Sequence, residues 1–184
     1  LTAHFLATDS LLLGADEALQ QRILPAAAAG QALGAFALTE PMAGSNPADM
    51  RSTATRDGDG YWLKGSKCFI SNAGEADFIV VYAKTDSAVG ARGVSAFVVE
   101  PGKTDGVEIG KREETMGLRG GHVFPISFDC HVPAENRLGD EGTGFRTAMK
   151  VLDNGRIEVA AQATGIARAA LGAAVSYAKE REVG

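Results

Sequence analysis

The sequence predicts an α+β chain with more than one folding unit, and three textures along it support this. Leu1 to about Gly30 is rich in alanine and leucine with helical patterning. From about Ala32 to Phe128, short apolar runs alternate with turn residues, as in a β barrel or sandwich. From Gly142 onward the periodicity is helical again, with small residues that suit close packing in a bundle.

In the first stretch, Asp16 and Glu17 fall where the positive end of a helix favours acids. Pro25 predicts a stop after Leu24. In the second, Leu33–Thr39 is small and apolar, and Asp57-Gly58-Asp59-Gly60 signals a turn between two strands. Strands are then expected at Tyr61–Lys64, Lys67–Ile70, Asp77–Ala83 and Gly93–Glu100, with a last one near Val123–Phe128 before a turn at Pro133. In the third, Phe145, Met149 and Leu152 share one helical face. A break is expected near Asp153-Asn154-Gly155, followed by a longer helix carrying Ile157, Ala161, Ile166, Ala170 and Tyr177.

Composition narrows the function classes. The chain has 184 residues, 45% hydrophobic and 22% charged, which places it among folded rather than disordered chains. No apolar run reaches the ~18 residues of a membrane helix. A net charge of −5 argues against a nucleic-acid surface. Cys68 and Cys130 lie too far apart for a C-x-x-C site, and His4, His122 and His131 lack ligand spacing, so no metal is expected. Glu113-Glu114 reads as a solvated face. There is no G-x-S-x-G elbow, G-x-G-x-x-G turn or phosphate-binding loop.

The chemical signal lies in Ala37-Leu38-Thr39-Glu40-Pro41-Met42-Ala43-Gly44-Ser45. There a strand runs into a loop of small residues whose backbone can approach a ligand closely. This segment resembles the T-E-P-x-A-G-S-D pattern of the acyl-CoA dehydrogenase family, and four further family motifs follow in order. Gly65-Ser66-Lys67-Cys68-Phe69-Ile70-Ser71-Asn72-Ala73 is similar to G-x-K-x-[WF]-I-[TS]-N-[GA]. Met116-Gly117-Leu118-Arg119-Gly120 is similar to K-x-G-x-R-G, and Val132-Pro133-Ala134-Glu135-Asn136 with Leu138-Gly139 to V-P-x-E-N-x-L-G. Gly142–Met149 and Leu152-Asp153-Asn154-Gly155-Arg156-Ile157 resemble the opening of the family's C-terminal helical domain.

The resemblance implies the end of an N-terminal helical domain (1–31), a middle antiparallel β-barrel-like domain (32–139) and the first helices of a C-terminal four-helix bundle (140–184). It implies FAD as cofactor, an acyl-CoA thioester as substrate and trans-2-enoyl-CoA as product, with a glutamate taking the α-proton and flavin N5 the β-hydride. Electrons would pass to an electron-transferring flavoprotein. A homotetramer or dimer is implied, in a bacterial cytoplasm or, in a eukaryote, the mitochondrial matrix. Carried across by motif, Phe36, Leu38, Thr39, Gly44, Ser45, Phe69, Ile70 and Ser71 would hold the flavin. Ser45, Asp153 and Arg156 would border the acyl-CoA.

Several positions depart from the family pattern. Asn46 replaces the motif's Asp, and Gly121-His122-Val123 replaces hydroxyl residues that help hold CoA. In some branches the base precedes the Arg of the L-D-x-E-R segment, where this chain has Gly155. The catalytic glutamate is therefore expected beyond Gly184, in a longer protein of which a chain opening on Leu1 and closing on Arg181-Glu182-Val183-Gly184 is a central piece. A flavin-dependent monooxygenase or oxidase on the same scaffold, and a non-catalytic acyl-CoA-binding relative, are the alternatives.

Overall fold

A computed structural model describes residues 1–182; the sequence-based reading of Val183 and Gly184 lies outside the described residues. Two helices open the chain, α1 (Thr2–Gly14) and α2 (Glu17–Ala28). Asp16 caps α2 by accepting the Leu19 N–H at 2.9 Å, and Glu17 occupies its first turn. The expected stop at Leu24 is wrong: α2 runs past Pro25 to Ala28. A proline this near a helix end forfeits one hydrogen bond, and the Pro25 carbonyl still accepts the Ala29 N–H at 3.1 Å. The chain reverses at Gly30, whose φ of 70° suits a residue without Cβ.

Eight strands follow: β1 (Gly34–Ala37), β2 (Thr53–Asp57), β3 (Gly60–Ser71), β4 (Phe78–Lys84), β5 (Val94–Val99), β6 (Val107–Ile109), β7 (Val123–Pro133) and β8 (Arg137–Leu138). They form one sheet in the order β6-β7-β3-β2-β4-β5-β8, with β1 beside β4. The pairing is antiparallel except where β1 and the start of β2 meet β4 in parallel. Gly58-Asp59 makes the tight β2–β3 turn, as expected. Tyr61–Lys64 and Lys67–Ile70 are one strand, not two, joined through an irregularity described below. The last expected strand runs on to Pro133, and β6 and β8 are too short to leave a periodic signal.

The sheet folds over itself around two cores. Inside it, Tyr61, Leu63, Phe128 and Val132 from the β3–β7 half meet Ala35, Ile79, Val81, Phe97 and Val99 from the other half. The opposite face of β4 and β5, with Val80, Tyr82, Val94, Ala96 and Val98, packs on Leu11, Leu19, Ile23 and Ala148 of the helices. Burial on both faces explains why β4 is a continuous apolar run rather than an alternating one.

A single helix, α3 (Gly144–Glu180), closes the described chain. The expected break at Asp153-Asn154-Gly155 is absent, and α3 is continuous for 37 residues. Those residues dock α3 on α1 instead. Asn154 Nδ2 donates to Asp9 Oδ2 at 3.1 Å, and Gly155 lies against Leu6. The helix enters through Gly144, where an added Cβ would lie 2.6–2.9 Å from main-chain atoms of Ser95 and Ala96. Gly144→Ala should therefore cost about 1–3 kcal/mol as overpacking against backbone that cannot yield. A drop of several degrees in Tm checks this. No helix is long and apolar enough to cross a membrane among the described residues.

Candidate functional site

A cavity of about 450 Å³ opens where the end of β1, the far end of β3, α1 and α3 converge. It is lined by Phe36, Leu38, Thr39, Gly44, Ser45, Phe69, Ile70, Ser71 and Arg156, so nine of the ten residues singled out in the sequence come together. Asp153 does not line it; its carboxylate accepts a short hydrogen bond from Arg156 Nη1 at the rim. Sequence reasoning missed the apolar remainder of the wall: Ala3, Leu6, Pro47, Met149 and Leu152. For Met149 and Leu152 the signal was present as a helical apolar face, read only as packing. His122 stands away from the cavity lining and pairs with Glu75 at 2.7 Å. A second cavity, of about 360 Å³, is lined by Arg112, Glu113, Glu114, Thr115, Arg119 and Gly121, none of them expected as site residues.

Phe69 reaches the cavity because β3 is irregular there. Lys67 pairs with Ile126 and Ile70 with Phe124, so Cys68 and Phe69 together oppose the single residue Pro125. Pro125 has no N–H for the ladder, which favours the bulge at this point. Phe69 takes φ +60°, a conformation costing a non-glycine residue about 1–2 kcal/mol. Its ring is left 67% exposed, although Ile70 beside it is buried. A large aromatic ring held out of the core in a strained conformation points to a ligand face rather than to packing.

The strain is held by the facing loop. Cys68 N–H donates to the Thr39 carbonyl at 3.0 Å. Lys67, 1% exposed, donates from Nζ to Glu40 Oε1 at 2.9 Å and to the Leu38 carbonyl at 3.1 Å. Glu40 also accepts the Arg51 N–H at 2.6 Å and the Ser52 N–H at 3.0 Å. Burial pushes the Lys67 ammonium down to about 8, although the Glu40 charge and hydrogen bond oppose the shift. For Glu40, burial alone would raise the pKa. The Lys67 charge and the donated hydrogen bonds outweigh it and hold the carboxyl below its ordinary 4.5.

A carboxyl depressed on folding contributes stability above its unfolded pKa and loses it as pH falls through the folded value. Wild-type protein should therefore lose stability below about pH 4.5 more steeply than Glu40→Gln. Urea midpoints measured across that range test this.

The chemistry of the lining is consistent throughout. One wall is apolar, with an exposed aromatic ring; Thr39, Ser45 and Ser71 supply hydroxyls; Arg156 supplies a cation. The Thr39 N–H makes no hydrogen bond among the described residues. These features fit a flat conjugated ring with a polar edge, as in the flavin that the motifs imply. No carboxylate lines the cavity among the described residues, so proton abstraction is not supplied by this wall. Gly155 is occupied in packing: an added Cβ would lie 2.7 Å from Leu6 Cδ2.

Family models match most of the chain. The model "acyl-CoA dehydrogenase, middle domain" covers residues 35–130, and "acyl-CoA dehydrogenase, C-terminal domain" covers residues 142–184. A short-chain-specific acyl-CoA dehydrogenase of Megasphaera elsdenii is 49% identical over 167 residues, 90% of this chain and 43% of that protein. The solved butyryl-CoA dehydrogenase of M. elsdenii superposes with a TM-score of 0.96 at 44% identity, over 99% of this chain and 48% of that one. A structure described as the electron transferring flavoprotein of Acidaminococcus fermentans, from work on flavin-based electron bifurcation, gives 0.96 at 47% identity, again over 99% and 48%. The chain spans about half the length of the curated relatives it matches.

Proposed function

The chain belongs to the acyl-CoA dehydrogenase family, and from this we propose that its protein oxidises a short-chain acyl-CoA thioester to the trans-2-enoyl-CoA with FAD. The observation that carries the reading is the convergence of nine motif residues on one cavity, with Phe69 strained and exposed at its wall. When bound there, FAD supplies the two-electron acceptor that the oxidation needs. The residues of the chain bind and orient. Phe69 would lie against the isoalloxazine face, Leu38 and Thr39 would hold its pyrimidine edge, and the Ser71 hydroxyl would hydrogen-bond near N5. Ser45 and Arg156 border the CoA side, where a guanidinium suits a phosphorylated ligand. Asp153, outside the cavity, sets the orientation of that guanidinium through their hydrogen bond.

The base in this reading is a glutamate from outside the described cavity wall. Electrons leave to an electron-transferring flavoprotein, a partner supported by the likeness to the A. fermentans structure. A homo-oligomeric helical bundle is supported by Ile157, Ile166, Leu171 and Tyr177, exposed along α3. The short acyl chain is supported by the names of the M. elsdenii proteins.

Anaerobic mixing of the flavin-loaded protein with butyryl-CoA tests the reading. Loss of oxidised-flavin absorbance with formation of the enoyl-CoA is expected. An oxygen-dependent product without enoyl-CoA would move the assignment to an oxidase, and no bleaching with any acyl-CoA would sink it.

A further inference from the structure

The buried pair of Lys67 and Glu40 is larger than anchoring alone requires. Two main-chain N–H groups already hold the Glu40 carboxylate, and Cys68 N–H already ties the two segments together. A fully buried ammonium adds a desolvation cost that an apolar side chain would avoid. Its placement suggests what it does. Nζ is directed to Glu40 Oε1, to the Leu38 carbonyl and, at 3.9 Å, to Met50 Sδ, so its three hydrogens are all committed. The Leu38 carbonyl and the Thr39 N–H belong to the same peptide unit. A cation donating to that oxygen draws electron density from the nitrogen and makes the N–H a stronger donor. That N–H has no acceptor among the described residues, and Thr39 lines the cavity.

We propose that Lys67, oriented by Glu40, is a positioning residue that polarises the Leu38–Thr39 peptide, so that the Thr39 N–H holds the electron-rich pyrimidine edge of the flavin more tightly as the ring gains charge. The inference rests on the reading of the cavity as a flavin site. It assigns to the pair an electronic role that the loop's anchoring contacts do not supply.

The double variant Glu40→Gln/Lys67→Met separates the two roles. The glutamine side chain keeps one oxygen, enough for the Arg51 or the Ser52 N–H but not for both. The methionine side chain keeps most of the length and volume of the lysine stem, and no lone buried charge remains. The variant's affinity for FAD, the absorption spectrum of the bound flavin and its reduction potential are measured beside wild type, with Tm as the control for folding. The expected result is a Tm within a few degrees of wild type, FAD binding weakened about tenfold, and a lower reduction potential with a shifted flavin band. A double variant with wild-type affinity, spectrum and potential overturns the proposal, since the cation on the Leu38 carbonyl is then without effect on the flavin. Should the double variant unfold, Glu40→Gln alone, in which the buried amine loses the carboxylate that orients it and keeps it charged, is expected to lower the potential as well; a wild-type potential there overturns the proposal. Failure of wild-type protein to take up FAD overturns the reading of the cavity, and the inference with it.

Discussion

Lys67→Met is expected to destabilise the protein by about 3–5 kcal/mol, the usual consequence of stranding one charge of a buried pair. Glu40, itself part of the Leu38–Ser45 loop, would stay only 6% exposed without its cation. The Arg51 and Ser52 N–H groups soften the loss but cannot neutralise a full charge. Against a total stability of roughly 5–15 kcal/mol, this is enough to lower the yield of folded protein. Trp62, the only tryptophan, lies on β3 five positions before Lys67, so its fluorescence in a urea titration reports the transition. The same titration on Glu40→Gln/Lys67→Met should recover most of the loss, because replacing both partners removes the stranded charge. Wild-type stability in the single variant would contradict the burial of the pair.

Phe69→Gly should separate stability from binding. In the flavin-free protein the ring contributes little packing, while its backbone bears a left-handed conformation that glycine adopts freely. Relief of that strain, about 1–2 kcal/mol, is partly offset by the roughly 1 kcal/mol that glycine costs in a strand. Tm should hold or rise slightly. FAD affinity should fall about tenfold to a hundredfold, the value of one aromatic face against a stacked ring. Fluorescence quenching of free FAD on titration measures it. A variant that loses stability and keeps its affinity would make Phe69 a packing residue.

Periodicity revealed the three textures, because a sheet half-covered by helices alternates where one face is wet and runs apolar where neither is. It failed where tertiary contacts override local preference. Pro25 and Asn154-Gly155 look like breakers, yet one sits in a final turn and the other two are consumed in docking α3 on α1. The site was legible through the motifs, since those at Ala37–Ser45, Gly65–Ala73 and Gly142–Ile157 each bring part of the cavity lining. Asp153, three residues before Arg156 on the helix, pairs with that guanidinium rather than lining the cavity. The Glu40–Lys67 pair went unread, although a signal was available. Counting by twos along β3 from Tyr61 and Leu63, Lys67 falls on the inward face, where a lysine demands a buried acid. That Ile70 is also inward, three residues on, marks the bulge that turns Phe69 out.

The most direct test of the cavity as a flavin site is an FAD titration of wild-type protein beside Thr39→Ala, Phe69→Ala and Ser71→Ala. Saturable binding of one FAD per chain, weakened by each substitution without loss of folded structure, is the predicted result. Absence of binding, or binding that all three substitutions leave unchanged, would contradict it.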